Sequence, residues 1–423
     1  FVKAESLTSM VSGALQSHED MINAKKELEE AGRDVTDAKL AYAPDLGIKI
    51  ESGRANKANV DSPSQKDFQT LDLTWDQKIM DSGATLAEIR SANLKLDKAE
   101  LEFISSRNGL LIEGADAYLG LIKASEKLQT SIQAEANTRE TSGQEEIRVQ
   151  VGSGLASDVL KSKRQLANAQ KSVITDEKSF KSAMYTYEKV FNVEDVSVDN
   201  LSKPRLASST LSILPNSMKE TVQLALLMNR DLLISAIDVK IARNDVASAL
   251  ASFGPTVDAS LSWKNKDDAS HTAGSHTEDE GKITIDFPLS GFYMEMPSYL
   301  NDRSALDRAI NDHAVKERDT VKAAKDAWQE YANSRTMLSY SENEAAIARE
   351  LLTIAKKERE LEQTDTAAVL AAEETYRGAL DDLSDDSMTL VTSVYELLDV
   401  INMLEPEMME DSKKAGTFNT STE

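Results

Sequence analysis

The stretch VDASLSWK, Val257 to Lys264, decides the fold. Val257, Ala259, Leu261 and Trp263 take every second place, and Asp258, Ser260, Ser262 and Lys264 fill the places between. Side chains of a strand point alternately to its two faces, so this is a strand with one apolar and one polar face. Three other stretches share the pattern. Leu46, Ile48 and Ile50 alternate with Asp45, Gly47, Lys49 and Glu51, and Leu71, Leu73 and Trp75 alternate with Asp72, Thr74 and Asp76. Ile283, Ile285, Phe287 and Leu289 alternate with Thr284, Asp286 and Pro288. The linkers within each pair, 54–66 and 265–281, read as polar loops; the second carries His271, His276 and Glu278-Asp279-Glu280.

Outside these stretches the chain is built for long helices. Residues 64–203 and 298–405 contain no proline, the commonest breaker of a helix interior. Apolar residues recur at sevens in both: Ile89, Leu96, Phe103, Leu110 and Ala117, then Ala324, Tyr331, Leu338, Ala345 and Leu352. A sustained seven-residue period describes helices packed side by side as in a coiled coil. A helix over 84–150 is on the order of 100 Å long at ~1.5 Å per residue.

The plan is duplicated. Ala14-Leu15, Asp20, Ala31, Asp34-Val35 and Pro44 recur 211 places later as Ala225-Leu226, Asp231, Ala242, Asp245-Val246 and Pro255. Farther along, Ala117-Tyr118 matches Ala327-Trp328 and Val159-Leu160 matches Val369-Leu370. The seam is the segment 193–216, with Pro204 and Pro215 and several serines, a connector by composition. The predicted organisation is thus a first repeat over 1–210, with a helix, strands 44–54 and 67–77, long helices over 84–192 and the connector. A second repeat covers 211–404, with a helix, strands 255–265 and 282–290 and long helices over 298–404. The tail 405–423 is expected to be poorly ordered.

Composition narrows the function. The 423 residues hold 48 Lys+Arg against 72 Asp+Glu, a net charge of −24, which argues against nucleic acid as a partner. There is no cysteine, so disulfides, thiolate metal sites and cysteine nucleophiles are excluded, and a lipid on an N-terminal cysteine is not expected. The chain opens on Phe1 and reads as processed. No apolar run approaches the ~20 residues of a membrane-spanning helix, but a barrel hides its apolar residues at alternate positions. Strands of about ten residues have the length of tilted barrel strands. Four cannot close a barrel, because known barrels start at ~8 strands and an open edge is intolerable in lipid, so the chain is expected to oligomerise, and three copies would give twelve strands.

These residues resemble the TolC-like outer-membrane efflux proteins, exit ducts of type I secretion and drug efflux in Gram-negative bacteria. Ala14-Leu15-x-x-His18-x-Asp20, repeated as Ala225-Leu226-x-x-Asn229-x-Asp231, is similar to that family's repeat start. Tyr42-x-Pro44 and Phe253-x-Pro255 resemble its helix-to-strand entry, and Asp81-Ser82-Gly83-Ala84 its turn before the long helix. Val151-Gly152-Ser153-Gly154-Leu155, running on to Asp158, resembles its hairpin turn at the periplasmic tip. The resemblance covers about residues 6–404. It implies a mainly α fold with a small β part: duplicated helical hairpins form a periplasmic tunnel, and four strands per chain enter a trimeric twelve-stranded outer-membrane barrel.

By that resemblance the protein is a homotrimeric exit channel of type I secretion in the outer membrane. It works with a periplasmic adaptor (membrane fusion) protein and an inner-membrane ABC transporter or other pump. The apolar members of the four alternating stretches face lipid. The adaptor docks at tips formed by Val151, Gly152, Ser153, Gly154 and Leu155 and by Gln363, Thr364, Asp365 and Thr366. Matched through Val369-Leu370, the entrance aspartates that family members can carry fall on Ala368 and Ala371, leaving Asp365 as the nearest pore acid. A gating salt bridge between Asp158 and Arg359 is expected at the mouth.

Two other functions compete: a small-molecule or metal efflux channel, and a soluble coiled-coil structural protein, which has no use for the strands. Trp75 and Trp263 suit either a membrane-interface belt or a core, and Asp381-Asp382 with Asp385-Asp386 suit either a tunnel lining or a solvated helix face. His271 and His276 have weak metal-ligand spacing. No nucleophile elbow, phosphate loop or metalloprotease motif is present, so no catalysis, metal or cofactor is expected.

Overall fold

The computed structural model describes residues 6–57, 64–152, 155–193, 198, 201–202, 206, 208–267, 275–361 and 363–409. In chain order, α1 (Leu7–Ser17) and α2 (Glu19–Leu40) lead to β1 (Asp45–Lys57), β2 (Ser64–Met80), α3 (Ala84–Gln150) and α4 (Ala156–Phe191). After α5 (Ser208–Ile213) the order recurs as α6 (Met218–Met228), α7 (Arg230–Ala251), β3 (Thr256–Asp267) and β4 (Ser275–Asp286). A short α8 (Gly291–Met294) precedes α9 (Met296–Glu360) and α10 (Thr366–Val400), and a 3-10 turn covers Pro406–Met409.

Local chemistry sets the matching starts and stops. The Ser6 hydroxyl accepts from Ser9 N–H before α1, and the Ser217 hydroxyl from Glu220 N–H before α6, each satisfying a donor the first helical turn leaves free. Both short helices end where an extended residue, His18 or Asn229, interrupts the run before the next helix. At the head of α3, Asp81 accepts from Thr85 N–H at 2.9 Å, and the turn is made by Ser82 and Gly83 at positive φ.

The elements form two compact units whose boundary does not follow the repeat. One is drawn from Phe1–Ala24, Phe103–Arg230 and Glu317–Glu423, the other from Lys25–Glu102 and Asp231–Lys316. A split at residue 210 therefore divides the sequence pattern and not the packing. The physical reason is visible in the sheet, where β2 of the first repeat needs β3 of the second.

That sheet lies in the second unit and is antiparallel throughout, in the order β1-β2-β3-β4. Leu46 pairs with Trp75 and Trp75 with Leu261; Ile48 pairs with Leu73 and Leu73 with Trp263. The apolar alternates of neighbouring strands thus share one face. On the other face Lys49 pairs with Asp72, Asp72 with Lys264 and Lys264 with Glu278. β4 runs Ser275–Asp286 instead of 282–290, so much of the expected loop 265–281 is strand, and Phe287 and Leu289 lie beyond its end. Polar partners carry the ladder outward: Lys266 is 2.5 Å from Glu278, and the Ser275 hydroxyl donates to Asn265 at 2.9 Å. Apolar alternation detects only the half of a strand that has an apolar face.

In the first unit the core gathers Tyr118, Tyr187, Phe191, Leu397, Leu398 and Ile401. The Tyr118 hydroxyl donates to the Ser202 carbonyl at 2.8 Å and accepts from Ser202 N–H at 3.0 Å, fastening the connector to α3. Arg230 bonds Asp399 at 2.5 Å, and the Asn229 amide donates to the Val400 carbonyl. Among the described residues no helix is long and apolar enough to cross a membrane.

Candidate functional site

Among the described residues, the sheet and the hairpin tips both carry exposed apolar side chains. On the sheet, apolar side chains stand in solvent at both edges. Ile48 of β1 is 74% exposed and Ile283 of β4 is 70% exposed, with Leu46, Ile50 and Ile285 similarly bare. Trp75, Trp263, Leu71, Val257 and Ala259 are half-buried on the inner strands, and Leu73 and Leu261 are exposed. Both tryptophans share the face of the aliphatics. Phe287 and Leu289 are exposed just past β4.

The apolar band runs obliquely. The rung through Ile48, Leu73 and Trp263 ends on Asp279, whereas Ile283 and Ile285 pair with Ala259 and Val257 farther along the strands. An oblique band is what strands tilted to a membrane present. The outer edges of β1 and β4 have no strand beside them among the described residues of this chain. His276 lies 3.5 Å from Glu278, and His271 lies outside the described residues. No group of three metal-ligating side chains occurs among the described residues.

At the tips, α3 stops at Gln150 because Gly152 follows at φ +79, a left-handed backbone that favours glycine. Ser153 and Gly154 lie outside the described residues. Val151 and Leu155 are 72% and 66% exposed, and Leu361 on the second hairpin is 67% exposed. The second tip turns through Gln363, Thr364 and Asp365. The Asp365 carboxylate accepts from Ala368 N–H at 2.9 Å and so caps α10. Ala368 and Ala371 are exposed on the first turns of that helix.

The expected bridge between Asp158 and Arg359 does not form. Asp158 pairs with Lys161 one turn on, at 3.1 Å, and Arg359 instead reaches Glu145 at 2.7 Å. Glu145 is buried and also accepts from the Thr366 hydroxyl at 2.5 Å, with Arg148 3.7 Å away. Burial pushes the Glu145 carboxyl up, but the hydrogen bonds from Thr366 and Arg359 and the charges of Arg359 and Arg148 outweigh it, holding it below the usual range. One carboxylate thereby joins the end of α3 to the end of α9 and the start of α10.

A signal for Glu145 was present in the heptads. The stripe through Leu110 and Ala117 continues in the same phase through Ala124, Ser131, Thr138 and Glu145, all buried. The stripe through Ala345 and Leu352 continues to Arg359. Buried polar residues replace apolar ones toward the tip, and they pair: Ser131 donates to Asp176, and 210 places on Ser341 donates to Asp386. Asp381 is half-buried beside Arg377, and Asp385 pairs with Lys123 at 2.5 Å; only Asp382 of the four aspartates is simply exposed.

Comparison with known proteins agrees with this geometry. The outer membrane efflux protein family matches residues 10–187. The chain is 21% identical over 282 residues to outer membrane protein TolC of Vibrio cholerae, covering 66% of this chain and 63% of that relative's length. A membrane protein from Pseudomonas aeruginosa superposes with a TM-score of 0.81 at 15% identity, over 95% of this chain and 91% of its own. The CmeC outer membrane channel of Campylobacter jejuni does so with a TM-score of 0.78 at 15% identity, over 97% and 87%.

Proposed function

From its likeness to the outer membrane efflux proteins, we propose that the chain is a TolC-like outer-membrane channel protein of a Gram-negative cell and supplies one third of an export channel. The observation that carries this is the sheet: among the described residues of the second unit its two edges are unpaired and its oblique apolar face is largely exposed. In lipid the apolar face is solvated by acyl chains, while open edges leave backbone donors and acceptors unpaired. Three copies pair those edges and close twelve strands. The charged face, with Lys49, Asp72, Lys264 and Glu278, then lines the lumen, and Leu46, Ile48, Ile50, Leu71, Leu73, Trp75, Val257, Ala259, Leu261, Trp263, Ile283 and Ile285 meet lipid.

The hairpin tips are the docking end. Exposed Val151, Leu155 and Leu361 offer an apolar contact to a periplasmic adaptor, which couples the channel to an inner-membrane pump. The Glu145–Arg359–Thr366 cluster fastens the two hairpins and takes the gating role expected of Asp158. Asp365 serves α10 as its cap, and a pore acid in that position shares its carboxylate with the backbone.

For cargo we take an unfolded polypeptide delivered by an ABC transporter of type I secretion. An entrance with Ala368 and Ala371 in place of paired acids imposes little charge selection, which suits an extended chain of mixed charge. The test is deletion of the gene with two readouts. Loss of a secreted protein with unchanged drug and metal susceptibility supports polypeptide cargo; hypersensitivity with an unchanged secretome assigns small-molecule or metal efflux instead.

A further inference from the structure

We propose a specific register for the contact between copies: β1 of one chain pairs antiparallel with β4 of the next so that Ile48 faces Ile285 and Ile50 faces Ile283. The inference rests on the trimeric reading above and deepens it. Three observations lead to it.

First, the face. Ile48 and Ile50 lie on the apolar side of β1, and Ile283 and Ile285 on the apolar side of β4. Only registers that match these alternates keep every side chain on its own side, because a one-residue slip reverses all of them. The remaining choices differ by steps of two residues.

Second, the charges. With Ile48 against Ile285, Glu51 falls opposite Lys282 on the polar face and Arg54 falls opposite Asp279 on the apolar face. Lys282 and Asp279 have no ion-pair partner among the described residues of their own chain, and Arg54 already bonds Asp67 across β1 and β2. Lys49 then faces Thr284, and no like charges meet among the described side chains of β1 and β4. Two residues one way, with Ile48 against Ile283, Lys49 meets Lys282, Glu51 meets Glu280 and Asp45 meets Asp286, three like-charge pairs. Like charges directly opposite on a sheet are destabilising. Two residues the other way, Lys49 meets Asp286, but Arg54 meets Gly281 and Ile283 meets Ser52, and one ion pair and one isoleucine pair are lost.

Third, the slope. Within the chain the apolar band steps along the sheet from β1 toward β4, so that Ile283 and Ile285 lie beyond the rung of Ile48. Setting Ile48 of the next chain against Ile285 continues the band in the same sense around a closed sheet.

The chain has no cysteine, so paired cysteines report the register without background. Opposed residues bring Cβ atoms to about 4.5–5.5 Å, and diagonal ones to about 7–8 Å. Full-length Lys49→Cys carrying Thr284→Cys, Lys282→Cys or Asp286→Cys is oxidised in isolated outer membranes and run on denaturing gels. The Lys49/Thr284 pair is expected to give a covalent trimer band several-fold stronger than either alternative. A stronger product from Lys49/Lys282 or Lys49/Asp286 overturns the register and leaves the trimer standing. No intermolecular product from any pair, in material whose native mass is three chains, overturns pairing between β1 and β4. A native monomer refutes the channel reading itself.

Discussion

The Arg359 guanidinium lies 2.7 Å from the buried Glu145 carboxylate, and the two residues end heptad stripes from opposite repeats of the chain. The contact ties hairpin to hairpin, at the end proposed above as the channel mouth. Arg359→Ala leaves Glu145 buried with Thr366 and the more distant Arg148. Removing one partner of a buried pair costs roughly 3–5 kcal/mol, an upper bound here because Arg359 is partly exposed. The expected result is a higher open fraction in planar-bilayer recordings, restored in part by Arg359→Lys. Unchanged conductance removes the gating role.

Acid should have the same effect as the substitution. The folded Glu145 carboxyl titrates below its ordinary value of 4.5. Its contribution is therefore fully present above that value and is lost as pH falls through the lower, folded pKa. Channel opening or tip proteolysis should rise only below about pH 4.5, and Glu145→Gln should abolish that dependence. A transition centred near neutrality assigns the switch to other groups.

The strands were legible in the sequence because alternation is a direct record of a two-faced sheet, and Val257 to Trp263 shows it cleanly. The long helices followed from heptads and missing prolines. The outer half of β4 was not legible, since Ser275 to Glu280 are polar on both faces and pair through Lys266 and Asn265. Nor was Glu145: an acid in a heptad stripe is taken for a solvated position unless the stripe is followed to its end. Arg359 was picked out but joined to Asp158, because nearness to a hairpin turn does not say which helix face a side chain takes.

The repeated hydroxyl–carboxylate pairs test the two hairpins in parallel. Ser131→Ala leaves the buried Asp176 without this donor, and Ser341→Ala does the same to Asp386. Each should destabilise by about 1–3 kcal/mol, with the larger loss at Ser131 because Asp176 is the more buried carboxylate. Denaturant unfolding of the purified protein measures both. Wild-type stability in both variants means the pairs contribute nothing.

A charge on the apolar sheet face should be felt in lipid. Ile283→Lys is expected to cost roughly 2–4 kcal/mol if the site lies near the bilayer midplane, with fewer heat-stable trimers recovered from the outer membrane. Lys264→Ile, on the polar face, should assemble normally and change ion selectivity. Equal assembly of both variants contradicts the assignment of faces.

The most direct measurement is the native mass of the full chain in mild detergent, compared with its behaviour after detergent removal. The chain has a mass of 46.4 kDa. A detergent-dependent particle holding three chains is the predicted result, since the proposed trimer pairs the edges that β1 and β4 leave open. A detergent-independent soluble monomer or dimer would contradict it, because the apolar face would then have no lipid to meet.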